Sequence, residues 1–413
     1  MIRWSPEQQA MKDALREFVG KSLEPHRVEL ESGEMPPYEI LRDMYRKFGL
    51  DEIARERFAR AMSGTSRPAG PRRRDPDEVA MVLLPMIELS RCSPGMITAL
   101  GVSANLASGA IMKGGTPEQK ERWALDLLTL DKIGAWALTE AGSGSDAFGG
   151  MLSSARQDGD EFVLNGSKTF ITNGPYADTI VFICRLQTDA PEPRDRPIVT
   201  FVLESGMPGL DQSKPLRKMG MHSSPTGELF LHDVRVTTDH LLGGPASLER
   251  ALAPRSLTSP SERNSEAKGT FASERASIAA SALGIIERCL ELSVEYARTR
   301  VQFGHPIGEY QLIQDKLARM EVARLNVSNL IFHYIESLVE GVGVTFAEAS
   351  AMKLYSARAA VEVAMEAVQV YGGNGYMSEY PLEQLARDAR VLQIYAGTDE
   401  MQIRGIAKAL LAP

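Results

Sequence analysis

The sequence predicts an α+β fold in which helical regions flank a β-rich middle region. Apolar residues recur at helical spacing before residue 134, alternate or form short runs over 135–242, and return to helical spacing from residue 270. A chain of 413 residues is long enough for two or three domains. We therefore predict an N-terminal helical domain over 1–134, a middle β domain over 135–242, a loop or linker over 243–269, and a C-terminal helical bundle over 270–413.

The N-terminal region carries helix signals on both sides of an irregular stretch. A first helix is indicated by Met11, Leu15, Phe18 and Val19, which recur at helical spacing, and the pattern resumes over 81–89. A later helix is predicted to begin at Thr116, where a hydroxyl cap precedes Pro-Glu-Gln. Residues 51–80 lack this periodicity and end in a Pro-, Gly- and Arg-rich run, which predicts irregular structure.

The middle region reads as strands and the region after it as a loop. Short apolar or alternating segments include Phe162 and Leu164 and the ranges 180–184, 198–203 and 228–236. Residues 243–269 are rich in Ser, Pro, Glu and Arg, a composition that favours a long loop.

The C-terminal region carries two wide apolar stripes at helical spacing. Helices with such stripes must bury them against each other, so a helical bundle is expected. The stripes consist of Ile278, Ala282, Ile285, Cys289, Leu292 and Tyr296, and of Leu317, Met320, Ala323, Val327, Leu330 and Tyr334.

Composition excludes several classes of protein. The net charge of −8 argues against nucleic acid as a main ligand, and the run at Arg72–Arg74 fits a solvated loop. The three cysteines are too dispersed to suggest a disulfide framework or a cysteine-based metal site. We find no apolar run of membrane-spanning length and no signal sequence, because acidic residues interrupt the N-terminus. A bacterial cytoplasmic protein without a membrane partner is expected.

Residues 134–174 carry the clearest chemical signal. An apolar run ends in Thr139-Glu140 and a Gly/Ser loop that Asp146 closes, and a second strand ends at 170–174. Small residues let backbone amides approach a ligand closely, and hydroxyls with exposed N–H groups suit a phosphate or a polar ring edge. Taken alone, the block is better explained as two ordinary strand-turn units.

Glu274 is the second candidate, because it lies on the first apolar stripe, four residues before Ile278. A carboxylate on an apolar face is costly unless it is paired, and its pKa should rise. The alternative is an acidic residue in the first turn of a helix, favoured by the helix dipole. Two further segments, 296–304 and 369–376, are by themselves a helix end with basic residues and a glycine-rich turn.

Taken together, these four blocks resemble the acyl-CoA dehydrogenase family in content and order. The resemblance covers about residues 80–242 and 270–410. It implies a middle domain of β-sandwich or barrel-like form and a C-terminal four-helix bundle. It also implies FAD as the cofactor and an acyl-CoA as the substrate.

The resemblance assigns contacts residue by residue. It places Phe170 and Thr172 at the Trp and Thr of the usual Trp-Ile-Thr motif, and Arg300 at a partner subunit's pyrophosphate, which suits a planar guanidinium. The implied FAD contacts are Trp136, Leu138, Thr139, Ser145, Phe170, Ile171, Thr172, Arg300, Phe303, Gln311, Gln369, Gly372, Gly373, Thr398 and Glu400. The implied acyl-CoA contacts are Ser145, Arg275, Ala396 and Gly397.

The position of the base departs from the commoner family pattern. Most members carry the catalytic Glu in a C-terminal Tyr-Glu-Gly-Thr motif, where this chain has Tyr395-Ala396-Gly397-Thr398. Isovaleryl- and long-chain-type members instead carry the Glu one position before an Arg on the first long C-terminal helix, and Glu274-Arg275 matches that arrangement. The resemblance therefore implies that Glu274 removes the α proton and that a trans-2-enoyl-CoA is formed.

The resemblance further implies a homotetramer built as a dimer of dimers and an electron-transfer flavoprotein as electron acceptor. Two alternatives stay open from the sequence: an acyl-CoA oxidase or other flavoenzyme on the same fold, and a non-catalytic flavin-binding subunit. Residues 51–58 replace the family's Pro-Glu-x-Tyr-Gly-Gly loop, and the 243–269 connection is longer than usual. The acyl group is therefore not predicted.

Overall fold

The computed structural model describes residues 4–63, 73–253 and 260–412, with side chains from residue 274 onward in the last range. The predicted fold class is confirmed: helices precede and follow a curled sheet. The helices of the first part are α1 (Pro6–Phe18), α2 (Arg27–Ser32), α3 (Tyr38–Lys47), α4 (Leu50–Met62), α5 (Pro76–Ser90), α6 (Pro94–Gly101), α7 (Ser108–Gly114), α8 (Pro117–Gln119) and α9 (Leu125–Leu128).

Two expectations for the first part need correction. The stretch 51–80 is not irregular at either end, because α4 covers Leu50–Met62 and α5 begins at Pro76; residues 64–72 lie outside the described residues. A stretch that passes the length and apolarity test for a membrane span does exist, Pro94–Gly114, although 56% of its test window is buried inside the protein. Buried core helices pass the same test, so this stretch is weak evidence for a membrane segment.

The cap at Thr116 is confirmed, with its hydroxyl accepting the N–H of Gln119 at 3.3 Å.

Seven strands form one curled sheet within the described part of the middle region. The order is β1-β4-β2-β3-β7-β6, with β5 paired antiparallel to β4. The strands are β1 (Gly134–Ala137), β2 (Ser154–Asp158), β3 (Glu161–Thr172), β4 (Thr179–Leu186), β5 (Ile198–Glu204), β6 (Leu210–Gln212) and β7 (Thr226–Thr237). β1 runs parallel to β4, and the segment after β1 reaches the end of β3, where the Thr169 N–H donates to the Thr139 carbonyl.

The C-terminal region is helical, and it begins earlier than predicted. The predicted loop over 243–269 is wrong in part. It contains α10 (Gly244–Leu252), which has a proline in its first turn, and α11 (Pro260–Thr299) already includes residues 260–269. Residues 254–259 lie outside the described residues. A short hairpin, β8 (Val301–Gln302) and β9 (His305–Pro306), precedes α12 (Gln311–Val339), α13 (Phe346–Tyr371), α14 (Leu382–Val391) and α15 (Asp399–Leu410).

The two predicted stripes lie largely inside the protein. Ile278, Ala282, Ile285 and Cys289 of α11 are buried, as are Met320 and Val327 of α12. The same apolar cluster includes residues of α1 and α5, so the N-terminal helices and the C-terminal bundle share one core. The sheet encloses a second core of its own.

Candidate functional site

A buried ion pair shapes the turn that follows β1. Lys168 of β3 is fully buried, and its ammonium donates to the Leu138 carbonyl and to Glu140, both at 2.9 Å. The Glu140 carboxylate also accepts the N–H groups of Leu152 and Ser153 at 2.7 and 2.9 Å. These bonds fix the ends of the Gly/Ser loop. Trp136 at the end of β1 and Thr139 on the turn stay partly exposed.

The end of β3 lies against this turn. The Thr169 N–H donates to the Thr139 carbonyl at 2.9 Å, which joins the two predicted flavin segments. Phe170 has φ +58° and is 69% exposed, an arrangement that costs an L residue energy and leaves its ring available to a ligand. Thr172 is partly exposed, whereas Ile171 is buried in the sheet core and Ser145 is exposed on the loop.

A second set of predicted FAD contacts surrounds one cavity of about 950 Å³. Arg300, Phe303, Gln311, Gly372 and Gly373 all line it. Phe303 has φ +53° and is 93% exposed. The two glycines have open space where a Cβ would stand, so a ligand can approach their backbone closely.

The remaining predicted FAD contacts lie next to this set in sequence or on α15. Gln369 is exposed on α13, three residues before Gly372. The Thr398 hydroxyl accepts the Met401 N–H at 3.4 Å as the cap of α15, and Glu400 is exposed in its first turn. The Thr398 hydroxyl and the backbone N–H of Glu400 lower the pKa of the Glu400 carboxyl.

These groups fit an FAD molecule in chemical type. Arg300 offers a planar fork of donors for a pyrophosphate, while Phe303 and the glycines offer an apolar ring and close backbone approach. The residues that line the cavity lie within 296–313 and 370–374, so Trp136, Thr139 and Phe170 are not among them. Within the described part of the chain, this cavity therefore brings together only the second set of predicted FAD contacts.

Glu274 lies partly buried near the start of the described side chains of α11. Burial raises the pKa of its carboxyl from 4.5 to about 7, against the opposing positive charges of Arg275 and Lys353. A carboxyl with this pKa exists in both protonation states near neutral pH. It is therefore suited to accept a proton from carbon.

Arg275, the neighbour of Glu274 on α11, is held in place by residues of α13. Its guanidinium stacks 4.0 Å from the centre of the Phe346 ring, and Nη1 donates to the Ser350 hydroxyl at 3.0 Å. The Arg275 Nε is buried without a hydrogen-bond partner among the described residues. A donor in that state is available to a bound group.

The turn at Ala396 and Gly397 has an unusual backbone. Both residues have positive φ, +51° and +86°, and the Gly397 carbonyl accepts from Lys353 Nζ at 2.8 Å and from Gln402 Nε2 at 2.7 Å. The N–H groups of Ala396 and Gly397 donate to no other residue that the structure describes. Free N–H groups in a fixed turn can bind a thioester oxygen.

Sequence reasoning missed the buried lysines that support both ends of the site. Lys168 and Lys353 are fully buried, and each bonds a backbone carbonyl that the sequence cannot place beside it. A signal for Lys353 did exist. It stands among apolar and small residues on α13, seven residues after Phe346 and three after Ser350.

Family models match three consecutive parts of the chain. Residues 75–131 match the N-terminal domain of acyl-CoA dehydrogenase, residues 135–234 its middle domain, and residues 265–411 its C-terminal domain.

Individual relatives agree with these matches over nearly the whole chain. An acyl-CoA dehydrogenase of Bacillus subtilis is 36% identical over 407 residues, 98% of each chain. The solved butyryl-CoA dehydrogenase of Megasphaera elsdenii is 32% identical with a TM-score of 0.80 and covers 100% of both chains. A Mycobacterium smegmatis glutaryl-CoA dehydrogenase in complex with FADH2 is 27% identical with a TM-score of 0.78, over 99% of this chain and 96% of that one.

Proposed function

Because the chain belongs to the acyl-CoA dehydrogenase family, whose members use FAD to oxidise a CH–CH bond, we propose that Glu274 is its catalytic base. One observation carries this proposal: a buried carboxyl whose pKa is raised to about 7 shares two neighbours, Arg275 and Lys353, with a turn whose N–H groups donate to no other described residue. Ala396 stands where most members carry their Glu, so no carboxylate at that position competes for the role.

The residues divide the work of the reaction. The N–H groups of Ala396 and Gly397 bind the thioester oxygen, which makes the neighbouring C–H more acidic. Arg275 holds the acyl-CoA beside the turn, and Ser145 contacts it from the loop. Glu274 accepts the α proton, and the product is a trans-2-enoyl-CoA. FAD supplies the acceptor for the β hydride when it is bound.

Two groups of residues hold the cofactor. Trp136, Leu138, Thr139, Ser145 and the strand end at Phe170–Thr172 would hold its ring and ring edge. Arg300, Phe303 and Gln311, with the 369–373 segment, Thr398 and Glu400, would hold its pyrophosphate and adenine end.

The second group acts on the FAD of a neighbouring copy, and the protein is a homotetramer built as a dimer of dimers. The support is the separation of the two groups in one chain: no described residue of the seven-stranded sheet lines the Arg300 cavity. A second copy brings the missing half to each site.

The electrons leave through an electron-transfer flavoprotein, and the protein works in a bacterial cytoplasm. Free, buried Cys92, Cys184 and Cys289 fit a reducing compartment. A solved structure from Acidaminococcus fermentans, described as an electron-transferring flavoprotein, is 30% identical to this chain with a TM-score of 0.78 over 100% of both chains.

The experiment is anaerobic flavin reduction by a panel of acyl-CoAs. Bleaching of the oxidised flavin band by at least one straight or branched acyl-CoA is expected, with the enoyl-CoA as product. No bleaching by any member contradicts the proposal. Oxygen consumption with peroxide release during turnover would instead indicate the oxidase.

A further inference from the structure

One face of α13 contacts the predicted acyl-CoA-binding residues Arg275 and Gly397. Phe346, Ser350 and Lys353 are spaced four and three residues apart, so they share that face. Phe346 and Ser350 hold the guanidinium of Arg275 by stacking and by a hydrogen bond. Lys353 holds the next part of the site, the Gly397 carbonyl, at 2.8 Å.

Packing alone does not account for a lysine at this position. Lys353 is fully buried, and burying an ammonium group is costly unless it is paired. Among the described residues its nearest carboxylate oxygen, Asp399 Oδ1, is 3.9 Å away, and the other oxygen of Asp399 already accepts from Arg358 at 2.9 Å. Within the same residues, the hydrogen bond that Lys353 makes is the one to the turn. A methionine would fill similar space without the charge.

The turn needs such support because its backbone is unfavourable. Ala396 has φ +51°, a conformation that L residues adopt at an energetic cost. In a trans peptide the C=O and N–H point to opposite sides. Gln402 holds the Ala396 carbonyl at 3.2 Å, which orients the Gly397 N–H, and Lys353 and Gln402 together hold the next carbonyl.

We propose that Lys353 is a positioning residue for the acyl-CoA oxidation: it fixes the Ala396–Gly397 turn through the Gly397 carbonyl and places a positive charge near Glu274. The inference rests on the proposed function. Lys353 contacts neither substrate nor cofactor, and it acts through the turn and through the field at the base.

The charges around this pair determine the pH effect. Glu274 faces Arg275 on its own helix, Lys353 on α13 and the Tyr395 phenol. Lys353 faces Asp399 and Glu400 of α15 as well as Glu274 and Arg275, and burial lowers its pKa to about 8. Near pH 7 the lysine is therefore mostly charged and favours the ionised form of Glu274. Loss of that charge raises the pKa of Glu274.

The test compares Lys353→Met, which removes charge and donor, with Lys353→Gln, which keeps a donor without charge. Arg358→Met is the matched control, because Arg358 is on the same helix and binds the same Asp399 without touching the turn. All proteins are saturated with FAD. The kcat/KM for flavin reduction is measured from about pH 6 to about pH 9, since it reports the base of the free enzyme. Binding of the enoyl-CoA product to oxidised protein is measured by calorimetry, and thermal unfolding is recorded for each.

Both lysine variants are expected to move the rising limb of kcat/KM to higher pH by about one unit, the lower end of what a nearby opposite charge does to a carboxyl. Lys353→Met also loses about 10- to 100-fold in reduction rate above that limb, because the turn is misplaced. It binds the enoyl-CoA more weakly. Lys353→Gln keeps more of the rate, and Arg358→Met keeps the wild-type midpoint.

Distinct results separate failure of this inference from failure of the proposed function. A wild-type pH midpoint in both lysine variants overturns the inference while wild-type reduction still supports the function. Losses that only track lower thermal stability and equal those of Arg358→Met also overturn it. If Lys353→Met does not fold, the midpoint of Lys353→Gln decides. A wild-type protein that no acyl-CoA reduces overturns both.

Discussion

At Glu274 the protein keeps an ionisable group where burial disfavours its charge. The raised pKa of about 7 means that the folded protein retains a proton that the unfolded chain, with an ordinary value of 4.5, has already released. Stability therefore falls as pH rises between these two values and stays lower above them. The alternative from the sequence, an acidic residue in the first turn of its helix, is wrong, because α11 begins at Pro260 and Glu274 lies well inside it.

This difference gives a prediction for Glu274→Gln. The amide cannot ionise, so the variant escapes the cost of a buried charge and should unfold at a higher temperature than wild type at pH 8. The advantage should shrink towards pH 5, where the wild-type carboxyl is protonated. Thermal unfolding of the FAD-saturated proteins at both pH values measures it. A variant that is less stable than wild type at pH 8 would contradict the cost assigned to the buried charge.

Lys168 presents the opposite case, a buried charge that is fully paired. Lys168→Met should destabilise the protein by about 3–5 kcal/mol, because Glu140 stays buried without its partner. Flavin retention should fall as well, since the Leu138 carbonyl is released. Adding Glu140→Gln should recover part of the stability, as measured by denaturant unfolding. An unchanged unfolding midpoint in Lys168→Met would show that the pair does not fix the turn.

Among the elements, the sequence predicted those whose apolar pattern follows from burial of one or both faces. The strands around Phe162 and over 180–184, 198–203 and 228–236 lie within β3, β4, β5 and β7, because period-two or continuous apolar runs are what a packed sheet requires. The sequence pattern did not predict α4 or α10. In α4 only Phe58 is buried, so no apolar stripe marks a helix whose Glu, Arg and Ala content favours one.

The site was predictable only where a local motif carried it. Thr139, Phe170 and Arg300 stand in recognisable blocks, and Glu274 was proposed as the base from its place on an apolar stripe together with the family resemblance. The supports were not, because each joins segments far apart in sequence: Lys168 reaches Leu138, and Lys353 reaches Gly397. Such pairs depend on the tertiary fold rather than on local propensity.

The hairpin and the start of α12 give the prediction at the scale of elements. Arg300 directly precedes β8 and lines the cavity with Phe303 and Gln311. Arg300→Ala should weaken FAD retention by about 1.5–3 kcal/mol, the worth of hydrogen bonds to a charged group. Gel filtration followed by flavin absorbance measures the retained cofactor. Lys316→Ala, which removes a lysine of α12 that pairs with Glu366, is the control and should retain FAD fully.

At the scale of the whole molecule, the three regions are joined at the core and at charged contacts. Arg387 of α14 bonds Glu31 of α2 at 3.1 Å and the Met219 carbonyl of the middle region at 3.0 Å. Such contacts hold the middle region against the helices before and after it. The cavity around Arg300 lies on another part of the chain.

Assembly is therefore predicted to accompany flavin binding. Light scattering should give the mass of a tetramer of the 45.2 kDa chain for the wild-type protein with FAD. A stable monomer with full flavin content would contradict the assignment of Arg300, Phe303 and Gln311 to a neighbour's FAD.

The central claim is that Glu274 takes the α proton, and stopped-flow flavin reduction tests it most directly. Glu274→Gln should bind FAD and acyl-CoA normally and lose about two to four orders of magnitude in reduction rate, the usual worth of a general base. Adding Ala396→Glu should restore part of that rate, because it returns a carboxylate to the commoner position beside the same turn. Reduction of Glu274→Gln at close to the wild-type rate would contradict the account.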